Sequence, residues 1–149
     1  MQLTKHFSLE ELIASETATR KGIDNTPDET VKRNLQILAE GLERIREFLQ
    51  KPIRINSGYR CKKLNQAVGG SKTSEHILGL AADIICPAFG SPIEVCRAIA
   101  AINVGSNQII HEFGQWCHVS FPAASATAKN ELLTIANAKT GYVAGLVSV

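Results

Sequence analysis

Two histidines and one aspartate are the residues of this chain best equipped for chemistry. His76 and Asp83 lie seven residues apart in Ser74-Glu75-His76-Ile77-Leu78-Gly79-Leu80-Ala81-Ala82-Asp83, and His118 lies in Trp116-Cys117-His118-Val119-Ser120. Two imidazoles and a carboxylate are a common ligand set for a catalytic zinc, which keeps a fourth position open for water. Asp83 interrupts the apolar stretch from Ala81 to Cys86. An ionised carboxylate is costly in such a place unless it is paired or metal-bound. His118 interrupts a second apolar stretch. A buried Asp–His pair without metal fits the same spacing, so spacing alone leaves both readings open. His6 and His111 have no comparable company and read as ordinary surface or core histidines.

Certain elements must bring these residues together. Alternation and β-branched content predict strands at 53–56, 81–86, 108–112 and 116–121. The last two flank Phe113-Gly114-Gln115, which reads as a hairpin loop. On the final strand Trp116, His118 and Ser120 share one face, and Cys117 points to the other. If the 81–86 and 116–121 strands are neighbours, Asp83 and His118 meet at one point and His76 arrives from the preceding loop. Three helix starts carry capping signals: Ser8-Leu9-Glu10-Glu11, Thr26-Pro27-Asp28-Glu29 and Ser91-Pro92-Ile93-Glu94. The second begins the longest helix. Val31, Leu35, Leu38, Leu42, Ile45 and Leu49 give it one apolar face, and it should end near Gln50, before Lys51-Pro52. The third should run from Pro92 to about Asn103. The 57–73 segment reads as loop, short helix, loop, and 122–129 as a small-residue linker. A strand at 132–135 followed by a tail completes the chain. The expected fold class is α+β, a small, mostly antiparallel sheet with N-terminal helices packed on it.

Composition narrows the function. The 149 residues fit one domain, with 44% hydrophobic and 20% charged residues, ordinary for a protein with a real core. A net charge of +2 gives no concentrated basic face, so nucleic acid is not an expected partner. No apolar run approaches a transmembrane helix, and the first residues lack a basic region followed by an apolar run. The expectation is synthesis in the cytoplasm without a signal peptide and without membrane insertion. Cys61, Cys86, Cys96 and Cys117 form no C-x-x-C pair and read as free thiols, Cys86, Cys96 and Cys117 as packing.

Several motifs in order carry a resemblance. Ser57-Gly58-Tyr59-Arg60, Leu64-Asn65, Val68-Gly69-Gly70, the Ser74–Asp83 run and Trp116-Cys117-His118-Val119-Ser120 resemble the zinc D-Ala-D-Ala carboxypeptidase family (peptidase family M15). That family includes bacterial peptidoglycan peptidases and phage endolysins. Leu3-Thr4-Lys5-His6-Phe7-Ser8-Leu9-Glu10-Glu11-Leu12 is similar to its short, stand-alone members. The likeness covers about residues 3–122 of a single domain, 1–149, and leaves 123–149 as an extension.

The resemblance implies a hedgehog/DD-peptidase-like fold and one Zn2+ held by His76, Asp83 and His118. It implies that Arg60 faces the scissile carbonyl or a substrate carboxylate, where a guanidinium stabilises developing oxyanion charge. Tyr59, Asn65 and Ser74 are the expected substrate-binding residues. Many relatives place an acid three residues before the last ligand. Here that position is Gln115, which cannot accept a proton. The nearest carboxylate is Glu112, six before His118, an offset shared by the hedgehog signalling domain. Glu112 is therefore the expected general base. The implied activity is hydrolysis of peptidoglycan stem peptides by a monomer, as an endolysin acting on the wall after release with a holin-type partner. A non-catalytic zinc- or wall-binding module is the alternative that Gln115 keeps open.

Overall fold

The computed structural model describes residues 1–149. In chain order the elements are α1 (Leu9–Ile13), α2 (Glu16–Lys21), α3 (Glu29–Leu49), β1 (Arg54–Ser57), α4 (Lys62–Ala67), β2 (Ala81–Ile85), α5 (Pro92–Ile102), β3 (Gln108–Glu112), β4 (Trp116–Ser120), β5 (Glu131–Ile135) and β6 (Tyr142–Ala144). They make an α+β fold around one six-stranded sheet, ordered β1-β2-β4-β3-β5-β6. The sheet is mixed. β3 and β5 run parallel, and the remaining neighbours are antiparallel.

The apolar stripe of α3 does what its spacing predicts. Leu35, Leu38, Leu42 and Ile45 are fully buried. They pack in one cluster with Val95, Cys96 and Ile99 of α5 and with Ala82, Ile84, Ile109, Cys117 and Val119 from one face of the sheet. Both long helices thus cover the same sheet face. The other face is free to carry a site.

Helix ends follow the capping signals with one correction. Ser91 and Glu94 form a complete capping box, with Pro92 at the first helical position. Ser8 accepts from the Glu11 N–H as expected. α3, however, is capped by Asp28, which accepts from the Val31 N–H, and not by Thr26. The Thr26 hydroxyl donates instead to Asp24 Oδ1 at 2.6 Å, so Pro27 lies before the helix. α2 was not expected. It has six residues and no apolar stripe, but Ser15 caps its start and Gly22, at φ 65°, ends it.

The end of the chain is a second correction. Residues after 135 are not a loose tail: β6 pairs with β5 and widens the sheet. The linker that leads to β5 is pinned at its end, where the Lys129 N–H donates to Asn107 Oδ1 and the Glu131 N–H to the Asn107 carbonyl. All four cysteines are free, and Cys86, Cys96 and Cys117 are buried. Cys61 has a local role, capping α4 by accepting from the Leu64 N–H. No helix is long and apolar enough to cross a membrane.

Candidate metal centre

Strand register assembles the site. β2 and β4 are neighbours, and Asp83 stands directly opposite His118. Residues opposite one another on paired strands share a face. Asp83, His118, Ile110 and Leu133 therefore form a row across the uncovered face, and Trp116, Glu112, Ile135 and Tyr142 form the next. His76 enters from the turn before β2. The Arg60 N–H donates to the His76 carbonyl, which fixes that turn against the 57–61 loop.

His76, Asp83 and His118 are all buried, and one donor atom from each lies within 4.8 Å of the others. His118 Nδ1 is 3.1 Å and His76 Nε2 is 3.2 Å from Asp83 Oδ1. His76 Nδ1 donates to the Gly58 carbonyl at 2.7 Å. A carbonyl can only accept, so this bond leaves the Nε2 lone pair of a neutral imidazole aimed at a carboxylate. Acceptor facing acceptor repels unless a cation lies between them. The three ligand atoms converge closely enough for one metal ion to bridge them. Two nitrogens and one oxygen suit zinc, and the Gly58 carbonyl is the kind of outer partner that orients a ligating histidine.

The three groups also couple through their charges. Burial alone would raise the Asp83 carboxyl, but the two histidines outweigh it and hold the group well below the usual carboxylate range. Burial opposes the charged form of His118, while its bond to Asp83 and the carboxylates of Glu112 and Glu75 more than reverse this and raise its pKa.

The neighbouring loop is braced by Arg60. Its Nε donates to Ser57 Oγ, Nη1 to Asn65 Oδ1 at 3.1 Å and Nη2 to Asp83 Oδ2 at 3.2 Å. Asn65 is 3% exposed, and its amide also donates to the Ser71 carbonyl at 2.8 Å. Its polar atoms thus hold Arg60 and the 69–73 loop. The close fit explains two glycines. A Cβ on Gly70 would lie 2.1 Å from Asn65 Oδ1, and one on Gly58 would lie 2.3 Å from the Leu12 carbonyl oxygen. Ser74 accepts from the His76 N–H at 3.1 Å and so shapes the ligand's own turn. Tyr59 lines the cleft but is only 8% exposed, and it belongs to the core cluster.

Glu112 faces the cleft on β3. The Trp116 indole N–H donates to its Oε1 at 2.7 Å. Burial pushes its carboxyl up, and the Asp83 charge adds to that, against the pull of His118, His76 and the indole. A partly buried acid with a raised pKa beside a metal-ligand cluster fits a general base. Gln115 is exposed in the β3–β4 turn and does not line the cleft. His111 points to the opposite face from Glu112, and its Nδ1 donates to the Val147 carbonyl.

Glu75 was missed by sequence reasoning. It accepts from the Ser120 hydroxyl at 2.7 Å and from the Asn107 amide at 3.0 Å. It ties the His76 turn to β4 and to the start of β3. The available signal was an acid next to a candidate ligand, which is weak without the register that places Ser120 nearby.

Two imidazoles and a carboxylate converging in an open cleft could hold one metal ion. The Peptidase M15 family matches residues 5–120, and the chain belongs to that family of metallopeptidases. At the family level this is a zinc peptidase that acts on peptidoglycan. No curated protein matches the chain.

Proposed function

We propose that the protein hydrolyses peptide bonds in peptidoglycan stem peptides, with one zinc ion held by His76 Nε2, His118 Nδ1 and the Asp83 carboxylate. The convergence of these three buried donors on one point carries the reading. Zinc in such a site polarises a carbonyl and lowers the pKa of water. Glu112 accepts the proton of the attacking water and passes it to the leaving amine. The Trp116 N–H holds the Glu112 carboxylate in place for both transfers. Arg60 stabilises the oxyanion that builds on the scissile carbonyl. Its guanidinium is already aimed along the Asp83 edge of the site by Ser57 and Asn65. Ser74 and Asn65 support binding indirectly, through the His76 turn and the Arg60 fork, and Tyr59 shapes the cleft wall.

The fold is of the hedgehog/DD-peptidase type in this reading. One chain contributes every residue named, so a monomer is sufficient. The role is that of a phage or prophage endolysin that reaches the wall after release, with a holin-type partner. Mass spectrometry of muropeptides before and after incubation with the protein tests this, with and without a chelator. The expected result is chelator-sensitive cleavage within stem peptides, and the products identify the bond. Binding to walls with unchanged muropeptides would favour a non-catalytic module.

A further inference from the structure

The C-terminal extension lies outside the family match, yet it builds part of the cleft. β5 joins the edge of β3 and β6 joins β5, so the face that carries the metal ligands continues across two more strands. Register sets what this surface presents. Tyr142 stands opposite Ile135, which stands opposite Glu112, which stands opposite Trp116. Tyr142 is thus two inter-strand steps from the expected base, roughly 10 Å between backbones. It lines the same cleft as His76, Asp83, His118 and Glu112, together with Leu133. At the other end of the row Phe113 and Trp116 pack edge to face, with ring centroids 5.5 Å apart.

We propose that the β5–β6 hairpin is a substrate-binding wall, and that Tyr142 is the residue on it that contacts the peptide. This rests on the peptidase reading above and adds a substrate class to it. A cleft that runs past the base onto two further strands receives a peptide extending beyond the scissile bond, not a terminal dipeptide alone. Its volume of about 1640 Å³ exceeds the ~300–1,000 Å³ of small-molecule pockets. Tyr142 is 56% exposed, so its ring is available to a ligand. A phenol suits such a contact, because it offers a flat apolar face to side chains and a hydroxyl that donates to peptide carbonyls or carboxylates. With an ordinary phenol pKa of about 10, the hydroxyl is a donor near neutral pH.

Calorimetry with soluble muropeptides carrying cross-linked stem peptides reads this wall without turnover. The zinc-loaded Glu112→Gln protein is the parent. Tyr142→Ala in that background should weaken Kd about tenfold, the scale of one lost contact. Tyr142→Phe should fall between the two, having lost the hydroxyl only. Val143→Ala is the control, because Val143 lies on the opposite face of β6, and it should stay within about twofold of the parent. Equal affinities across parent and Tyr142 variants, or no binding by the parent, would overturn the proposal. Turnover of the wild-type protein on the same muropeptides is scored separately. An active wild type with Tyr142-independent binding sinks only the wall. An inactive wild type with Tyr142-dependent binding sinks only the peptidase reading.

Discussion

At the scale of single residues, the proposed centre has three ligands and no spare. His76→Ala and His118→Ala should each lose most of the bound zinc and all hydrolysis, and Asp83→Asn should weaken binding by removing a negative charge beside a dication. Metal content of the purified variants checks this, and full occupancy in any alanine variant would remove that residue from the site. Glu112→Gln should keep zinc and fold but slow turnover by about 10²–10⁴-fold. The pH dependence follows from sign. A base works when ionised, and the Glu112 pKa is raised, so activity should fall as pH drops through a midpoint above the ordinary glutamate value. The indole N–H stabilises the ionised form, so Trp116→Phe should move this acid limb of kcat/KM to higher pH. An unmoved limb would show that another group sets it. Asp83 and His118 were legible in the sequence because each interrupts an apolar run, and His76 because of the motif that joins it to Asp83. The brace was not. Asn65 reads as a substrate contact by motif, but its amide is occupied by Arg60 and the Ser71 carbonyl, which only the folded loop reveals.

At the scale of elements, legibility followed local period and pairing distance. α3 announces itself through leucines at helical steps, and β3–β4 through a short glycine turn. α2 has six residues and no stripe, so only its caps mark it. β6 is three exposed residues between Gly141 and Gly145, and it is a strand only because β5 is beside it. β5 in turn pairs in parallel with β3 across the linker, a contact that no local pattern encodes. Thr134 anchors the last residues of the chain to β5. It is 1% exposed, its hydroxyl donates to the Gly145 carbonyl, and it accepts from the Val147 N–H. Thr134→Val leaves both backbone groups without this partner and should cost about 1–3 kcal/mol. Urea denaturation measures the loss, and faster amide exchange at Val147 locates it. Unchanged values in both would mean that the segment after β6 is merely draped on the sheet.

At the scale of the whole molecule, metal and fold are linked. The site joins β2, β4 and the His76 turn, and the unfolded chain holds no such arrangement. Zinc at about 100 times its Kd should therefore stabilise the protein by about 2.7 kcal/mol, or roughly 5–10 °C in Tm. Calorimetric melts with zinc and after verified chelation test this, and identical curves would contradict a site assembled by folding. The sheet imposes one more constraint, because the same strands serve two masters. Along β4, Trp116 and His118 look into the cleft and Ser120, on the same face, is buried against Glu75, while Cys117 and Val119 look into the core. Parity along this strand therefore acts as a reading frame. Inserting one residue at its start would turn His118 inward and Cys117 outward, spoiling catalysis and packing in a single event, whereas inserting two would restore the faces. A single-residue length change in the β3–β4 turn should therefore abolish activity and lower stability together.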